Sequence, residues 1–155
     1  METIETLIHE APFFSGLTPD QIALIAGCGS NVQFAGDEVL FREGEEANTF
    51  YLVRHGAVSI ETFVPARGEV TIETVEAGEM IGWSWLFPPY RWHFDARALV
   101  PTRATAFDGA CIREKCNRDA ALGHALMSCV SQVLIERLQW TRLRLLDLYG
   151  NGRNR

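Results

Sequence analysis

The residues with the most potential for chemistry lie between residues 77 and 99, a stretch that we call the aromatic segment. It contains three of the four tryptophans, a Pro-Pro pair and one histidine, His93. A histidine is able to ligate haem iron or another metal, and Asp95 is expected to share its strand face and orient the ring. Neither a cysteine nor a carboxylate lies at metal-ligand spacing from it, so the pattern favours a hydrogen-bonded structural histidine.

The aromatic side chains of this segment predict either a ligand pocket or the closure of one. Indole and phenol rings supply apolar surface, stacking faces and a few hydrogen-bond donors, the usual lining of a pocket for a flat or lipophilic ligand. If the rings instead pack against one another they fill that space, and three indoles of roughly 200 Å² each favour partial closure. The candidate ligand-binding residues are Gly82, Trp83, Ser84, Trp85, Arg91, Trp92 and His93.

Motifs for catalysis are missing from the sequence. It has no Ser/His/Asp spacing, nucleophile elbow, paired-carboxylate motif or Walker loop, so we expect a protein that is not an enzyme. The sequence indicates no particular cofactor. Of the four cysteines, Cys111 and Cys116 form a Cys-x4-Cys pair without the second half of a zinc site. This spacing favours reduced thiols in the core for all four, Cys28 and Cys129 included.

The composition predicts one globular domain. The chain has 155 residues, of which 47% are hydrophobic and 22% charged, enough for one core and too few for two. No run approaches the ~20 apolar residues that span a bilayer, and the N-terminus lacks a basic signal start. We therefore expect a cytoplasmic protein without membrane insertion. The net charge of −6 argues against a face that binds duplex DNA, and the more basic end of the chain favours a solvated helix face.

The elements that must position the aromatic segment are mainly strands. Residues 31–107 consist of short runs rich in Val, Ile, Thr and aromatics, separated by glycines, which predicts a β-sandwich or barrel. The predicted strands span residues 32–34, 38–41, 49–53, 57–61, 70–75 and 97–107. Helices are predicted at residues 1–10, after Thr18 as N-cap with Pro19 at the first helical position, briefly after Asp108 through Ile112, and at residues 119–149.

The last predicted helix carries a row of apolar side chains. The row falls at alternating steps of four and three residues, which is typical of a coiled-coil seam. Residues 122–133 are expected to pack on the chain's own strands, whereas little barrel remains to cover the row beyond Leu138. We therefore expect a homodimer through parallel copies of this helix. The predicted interface residues are Met127, Val130, Leu134, Leu138, Thr141, Leu145 and Leu148.

Several motifs resemble the cyclic-nucleotide-binding domain family. They are Phe13-Phe14-Ser-Gly-Leu17, the run from Phe34 to Gly44, Phe50-Tyr-Leu-Val53 followed by His55-Gly56-Ala-Val58, and Ala77-Gly-Glu-Met-Ile-Gly82. The resemblance covers nearly the whole chain and is greatest to the sensor half of catabolite-activator-type bacterial regulators.

The fold that this resemblance implies is α+β and mainly β. It is an eight-stranded jelly-roll β-barrel with short N-terminal helices and a long C-terminal dimerisation helix. We expect one domain over residues 1–155, with N-terminal helices at 1–30, the β-roll at 31–108 and C-terminal helices at 109–155. In the regulators a DNA-reading winged helix follows the dimer helix, whereas only residues 150–155 follow it here. We therefore expect no DNA-binding domain and no direct DNA binding by this chain.

The same resemblance locates a site at which this chain departs from the family pattern. In the family, a glutamate after the glycine matching Gly82 hydrogen-bonds the ribose, and a later Arg-Ser or Arg-Thr pair holds the cyclic phosphate. Trp83 stands at the glutamate position, Trp92 at the arginine position and His93 at the hydroxyl position. A phosphate diester in a semi-buried pocket needs a fixed cation or several N–H donors, which indoles do not supply.

Three functional hypotheses follow. The preferred one is a stand-alone sensor or regulatory module that does not bind cAMP or cGMP in the usual way. It would sense an unidentified small molecule or protein partner through the aromatic segment. The second is a genuine cyclic-nucleotide sensor with a rewired pocket that uses Arg91 or Arg97. The third is a haem-type gas or redox sensor that uses His93.

Overall fold

The computed structural model describes residues 3–153, with side chains through residue 148. The chain opens with α1 (Ile4–Glu10), a 3-10 turn (Pro12–Phe14) and α2 (Pro19–Ala26). The strands are β1 (Gly29–Phe34), β2 (Val39–Phe41), β3 (Thr49–His55), β4 (Ala57–Val64), β5 (Gly68–Glu76), β6 (Met80–Ile81), β7 (Asp95–Ala98) and β8 (Thr102–Asp108). Two helices follow them, α3 (Gly109–Arg118) and α4 (Ala120–Arg153).

The strands form two antiparallel four-stranded sheets. The first has the order β1-β8-β3-β6 and the second the order β2-β7-β4-β5. Within residues 3–153 no strand ladder joins the two sheets, so the predicted barrel is not closed. The edge strands β2 and β6 have only three and two residues, too few to continue the pairing around the molecule. The mainly β character predicted from the sequence is confirmed.

Strand boundaries differ from the sequence predictions near the aromatic segment. The predicted strand 97–107 is two strands, because the chain turns before Pro101 and the Thr102 hydroxyl donates to the Val100 carbonyl (2.8 Å). β6 is too short to show an alternating pattern, so the sequence does not reveal it. The hairpin loop between β4 and β5 spans residues 65–67.

The helix α2 begins after Thr18, the N-cap that the sequence predicts. The Thr18 hydroxyl accepts from the Gln21 N–H (3.3 Å), and the Gln21 side chain accepts from the Thr18 N–H (3.0 Å), which is a capping box. α3 extends beyond the predicted end at Ile112, and the extended backbone of Asp119 separates it from α4. No helix in the described part of the chain is long and apolar enough to span a bilayer.

Two hydrophobic clusters form the interior. One lies between the helices and the first sheet and includes Phe14, Phe50 and Phe107. The other receives side chains from both sheets, among them Val53 from the first sheet and Phe41 from the second. The aromatic segment contributes a tryptophan to each cluster, so it is part of the core as well as a connection between sheets.

The prediction that all four cysteines are reduced thiols is wrong for Cys28 and Cys111. These two residues form a disulfide, with their Cα atoms 5.8 Å apart, whereas Cys116 and Cys129 are free. Sequence spacing does not indicate the pairing, because the two cysteines lie 83 positions apart in the sequence and are brought together by the antiparallel pairing of β1 with β8. The bond joins the segment after α2 to the first turn of α3.

We expect the Cys28–Cys111 bond to add about 2–4 kcal/mol to the free energy of unfolding, because a long-range cross-link removes conformations from the unfolded chain. Cys28→Ser with Cys111→Ser should lower the urea midpoint under non-reducing conditions, and reductant should bring the wild type to the same midpoint. Cys116→Ser is the control because it removes a free thiol. Four titratable thiols in the folded, non-reduced protein would contradict the bond.

Candidate functional site

The aromatic segment connects the two sheets. β6 ends at Ile81 in the first sheet and β7 begins at Asp95 in the second, so residues 82–94 make this connection. Gly82 has φ +101°, a conformation in which other residues are strained. The peptide bond between Pro88 and Pro89 is cis.

Trp92 fills the interior directly beside Gly82. Its side chain is 6% exposed, and its ring stacks on Phe41 with centroids 3.7 Å apart and planes at 8°. A Cβ added at Gly82 would lie 2.7 Å from the indole Cη2, so only glycine fits beneath the ring. Hydrogen bonds from the Trp92 N–H to the Glu45 carbonyl (3.0 Å) and from the Gly44 N–H to the Trp92 carbonyl (2.8 Å) hold its backbone.

Trp85 lies in the other cluster. It is 1% exposed, stacks on Phe50 with centroids 4.5 Å apart, and its Nε1–H donates to the Gly82 carbonyl (3.0 Å). Arg113 of α3 donates to the Trp85 carbonyl and places its guanidinium 4.4 Å from the Tyr90 ring centroid. The segment is therefore attached to α3 as well as to the first sheet.

Trp83 faces the long helix. Its ring packs near Phe13, and the guanidinium of Arg137 on α4 lies 5.3 Å from its ring centroid. The same guanidinium donates to the Met80 carbonyl (3.0 Å) and pairs with Glu73 (3.3 Å). The Trp83 Nε1–H is buried and has no hydrogen-bond partner within the described residues.

The polar candidates of the segment do not converge on a common point. Arg91 is exposed and donates to the Gly44 carbonyl (3.1 Å). His93 is exposed, whereas Ser84 is half-buried. The expectation that Asp95 orients His93 is corrected, because the Asp95 carboxylate accepts from the Glu43 N–H (2.7 Å) instead. Residues 3–153 contain no group of three or more side chains able to hold a metal ion.

Arg97 is held by acidic partners outside the hydrophobic cluster that receives side chains from both sheets. Its guanidinium pairs with the buried Glu61 (2.6 Å) and with Asp37 (2.8 Å). The hydrogen bond to Glu61 and the charge of that carboxylate raise the pKa of Arg97, with Asp37 adding to the effect. Its neighbour on β7, Ala96, is the residue that points into the cluster.

α4 has an inner and an outer face. Leu122, Leu126 and Val130 are buried against the chain's own core, and Val130 is only 1% exposed. Ser131, one residue on, is exposed and continues the steps of four and three. The other predicted interface side chains are all exposed: Met127, Leu134, Leu138, Thr141, Leu145 and Leu148.

Comparison with known proteins identifies the family. A family model described as the cyclic nucleotide-binding domain matches residues 31–119, which is more than half of the chain. The chain belongs to the cyclic nucleotide-binding domain family. The resemblance inferred from the sequence motifs is thereby confirmed, and the matched residues of this cyclic nucleotide-binding domain include the whole aromatic segment.

The relatives of this cyclic nucleotide-binding domain are regulatory or binding proteins by description. It is 25% identical over 145 residues to a CRP-like cAMP-activated global transcriptional regulator of Mycobacterium tuberculosis. That match covers 94% of this chain and 63% of the regulator, so the chain spans less than two thirds of this relative.

Two solved structures show the same fold. A protein of the cyclic nucleotide-binding type from Geobacter metallireducens GS-15 is 32% identical, with a TM-score of 0.77, over 89% of this chain and 99% of that chain. The N-terminal domain of a transcriptional regulator from Streptomyces coelicolor A3(2) is 24% identical, with a TM-score of 0.71, over 87% of this chain and 94% of that chain. This cyclic nucleotide-binding domain therefore shares its fold with both structures.

Three residues of the site are not indicated by the sequence patterns. Phe41 stacks on Trp92 although 50 positions separate them in the chain, and Arg113 and Arg137 reach the aromatic segment from helices that follow it. For Arg137, the sequence does contain one signal, because this arginine stands among apolar residues on the inner face of the last helix.

Proposed function

We propose that this domain is a regulatory module that does not hold cAMP or cGMP in the usual way of its family. The observation that carries the proposal is the Trp92 ring, which lies against Gly82 and stacks on Phe41. By the family resemblance, Gly82 and position 92 belong to the element that holds the cyclic phosphate. An indole packed there takes up room that a nucleotide would need and adds no positive charge.

The positions of Arg91 and Arg97, the two arginines of the rewired-pocket hypothesis, support the same proposal. A desolvated phosphate diester needs a fixed cation or several N–H donors, because an unpaired buried anion costs several kcal/mol. Arg97 is committed to Glu61 and Asp37, and Arg91 is exposed beside the Gly44 carbonyl. A rewired pocket would have to break the first set of contacts or recruit the second arginine from the surface.

The contacts of the aromatic segment favour a role in transmitting a signal to the helices. Trp85 and Tyr90 meet Arg113 of α3, and Trp83 meets Arg137 of α4. A small molecule or protein that displaces any of these rings would alter the support of a helix. We therefore assign the input to the aromatic segment and the output to α4, without enzymatic chemistry.

We also propose that the domain acts as a homodimer through the outer face of α4. The exposed side chains at steps of four and three form one seam, which we call the α4 seam: Met127, Ser131, Leu134, Leu138, Thr141, Leu145 and Leu148. It leaves out Val130, which the chain's own core already covers. A second copy would supply the matching row, because parallel helices with this spacing interdigitate. We propose no DNA contact for these residues, in keeping with the net charge of −6.

Titration calorimetry with cAMP and cGMP tests the nucleotide proposal. We expect a dissociation constant weaker than about 1 mM for both nucleotides, equivalent to less than about 4 kcal/mol of binding free energy. The M. tuberculosis relative, described as cAMP-activated, is the positive control in the same buffer. A low-micromolar dissociation constant for either nucleotide would contradict the proposal, and Arg91→Ala and Arg97→Ala would then show which arginine holds the phosphate.

A further inference from the structure

A second site lies on the side of the first sheet that faces the N-terminal helices. A pocket of about 440 Å³ opens between α1, the 3-10 turn and strands β3 and β8. Leu7 and Pro12 line it from the helical side, and Arg54, His55 and Arg103 line it from the sheet. Its volume is within the range of small-molecule sites, roughly 300–1,000 Å³. Gly78, near the start of the aromatic segment, is the one residue of that segment that lines the pocket.

Arg54 is the unusual residue of this pocket. The register between β3 and β8 shifts between Val53 and His55, so Arg54 has no opposite residue in that ladder. Its side chain is half-buried, and its Nε–H is fully buried without a hydrogen-bond partner in the described residues. A buried guanidinium N–H normally has an acceptor, because leaving it unpaired is costly.

The pocket has more positive than negative charge. His55 and Arg103 are cross-strand partners, and within residues 3–148 neither side chain, nor that of Arg54, forms a hydrogen bond or ion pair. Glu10 is the one acidic lining residue, and it pairs with neither arginine. In a chain with a net charge of −6, two arginines without carboxylate partners in one pocket are unlike the paired Arg97, Arg118 and Arg137.

We propose that this pocket binds the phosphate group of a small molecule. Guanidinium groups hold phosphate oxygens through paired N–H donors, and the Arg54 guanidinium has no acceptor or carboxylate partner among the described residues. Arg103 and His55 supply further donors from the neighbouring strand and the strand end. The apolar wall formed by Leu7 and Pro12 leaves room for the body of an organic phosphate. The inference is independent of the proposed function, because Trp92 and the α4 seam play no part in it.

Calorimetry of the full chain with inorganic phosphate and with glycerol 3-phosphate tests this site, with glycerol as the neutral probe. We expect sub-millimolar binding of at least one phosphate and none of glycerol. Tighter binding of glycerol 3-phosphate than of inorganic phosphate would assign the site to an organic phosphate, and the reverse order would assign it to the free ion. Phosphate binding no tighter than that of glycerol would overturn the proposal.

Variants of the lining residues test whether phosphate binds in this pocket. Arg54→Met keeps the aliphatic stem and should weaken phosphate binding at least about tenfold, whereas Glu10→Gln should strengthen it by removing a like charge. Arg67→Gln, in the exposed β4–β5 loop, is the matched control and should bind as the wild type does. Should Arg54→Met fail to fold, Arg103→Gln replaces it, since Arg103 is exposed. Unchanged binding in the folded arginine variant would overturn the assignment.

Discussion

Replacing Trp92 with alanine should lower the free energy of unfolding by about 3–5 kcal/mol, the usual cost of removing a buried aromatic side chain. Trp92 is 6% exposed and is stacked face to face on Phe41. Its removal would leave a cavity between Gly82 and Phe41, which the ring now fills. Urea denaturation followed by circular dichroism measures the loss without depending on the tryptophan signal.

His93→Ala is the matched control for this experiment. His93 is the next residue, is exposed, and should change stability by less than about 0.5 kcal/mol, as is usual for surface substitutions. If Trp92→Ala were as mild as His93→Ala, Trp92 would line an open pocket instead of filling the core. The proposed loss of nucleotide binding would then lose its physical basis.

Placing glutamates at Leu138 and Leu145 should convert a dimer to monomers. Both leucines lie on the α4 seam and are 51% and 49% exposed in the single chain. In parallel paired helices each substitution would bring two carboxylates together inside an apolar contact. A buried charge without a partner costs about 3–5 kcal/mol, so we expect the dissociation constant to rise by about two to three orders of magnitude. Sedimentation velocity over a concentration series measures it.

The same helix offers a matched control. Leu143 and Leu146 are also exposed, at 54% and 66%, but they lie off the α4 seam. Leu143→Glu with Leu146→Glu adds the same charge and removes the same apolar area, and it should leave the dimer intact. Dissociation by this pair, with the Leu138 and Leu145 pair still dimeric, would place the contact on a different face of α4.

The sequence predicts well those features that depend on neighbouring residues. The N-cap at Thr18 and the strands predicted at residues 49–53 and 57–61 each follow from patterns within a single element. Most strands are located for the same reason, since alternation and turn residues lie within a single element. The family resemblance implies the jelly-roll arrangement of the strands, which local patterns do not contain.

Features that depend on distant residues are not predicted. Cys28 bonds to Cys111, and Trp92 stacks on Phe41, only because the sheets bring separate parts of the chain together. Val130 has the spacing of the seam, yet the core covers it. Its burial depends on how α4 is rotated against the first sheet, which no heptad count determines.

Arg137 and Arg144 fix that rotation from within the chain. Arg137 bonds to the Met80 carbonyl and to Glu73, and Arg144 donates to the Ile72 carbonyl on β5 (3.2 Å). The outward leucines are therefore already oriented before anything binds them. If two copies associate through the α4 seam as proposed, association would cost the translational and rotational freedom of two preorganised bodies and the mobility of a few side chains, and no helix would have to be ordered. Its rate would be set by orientation during collision, as for rigid partners, and not by a folding step.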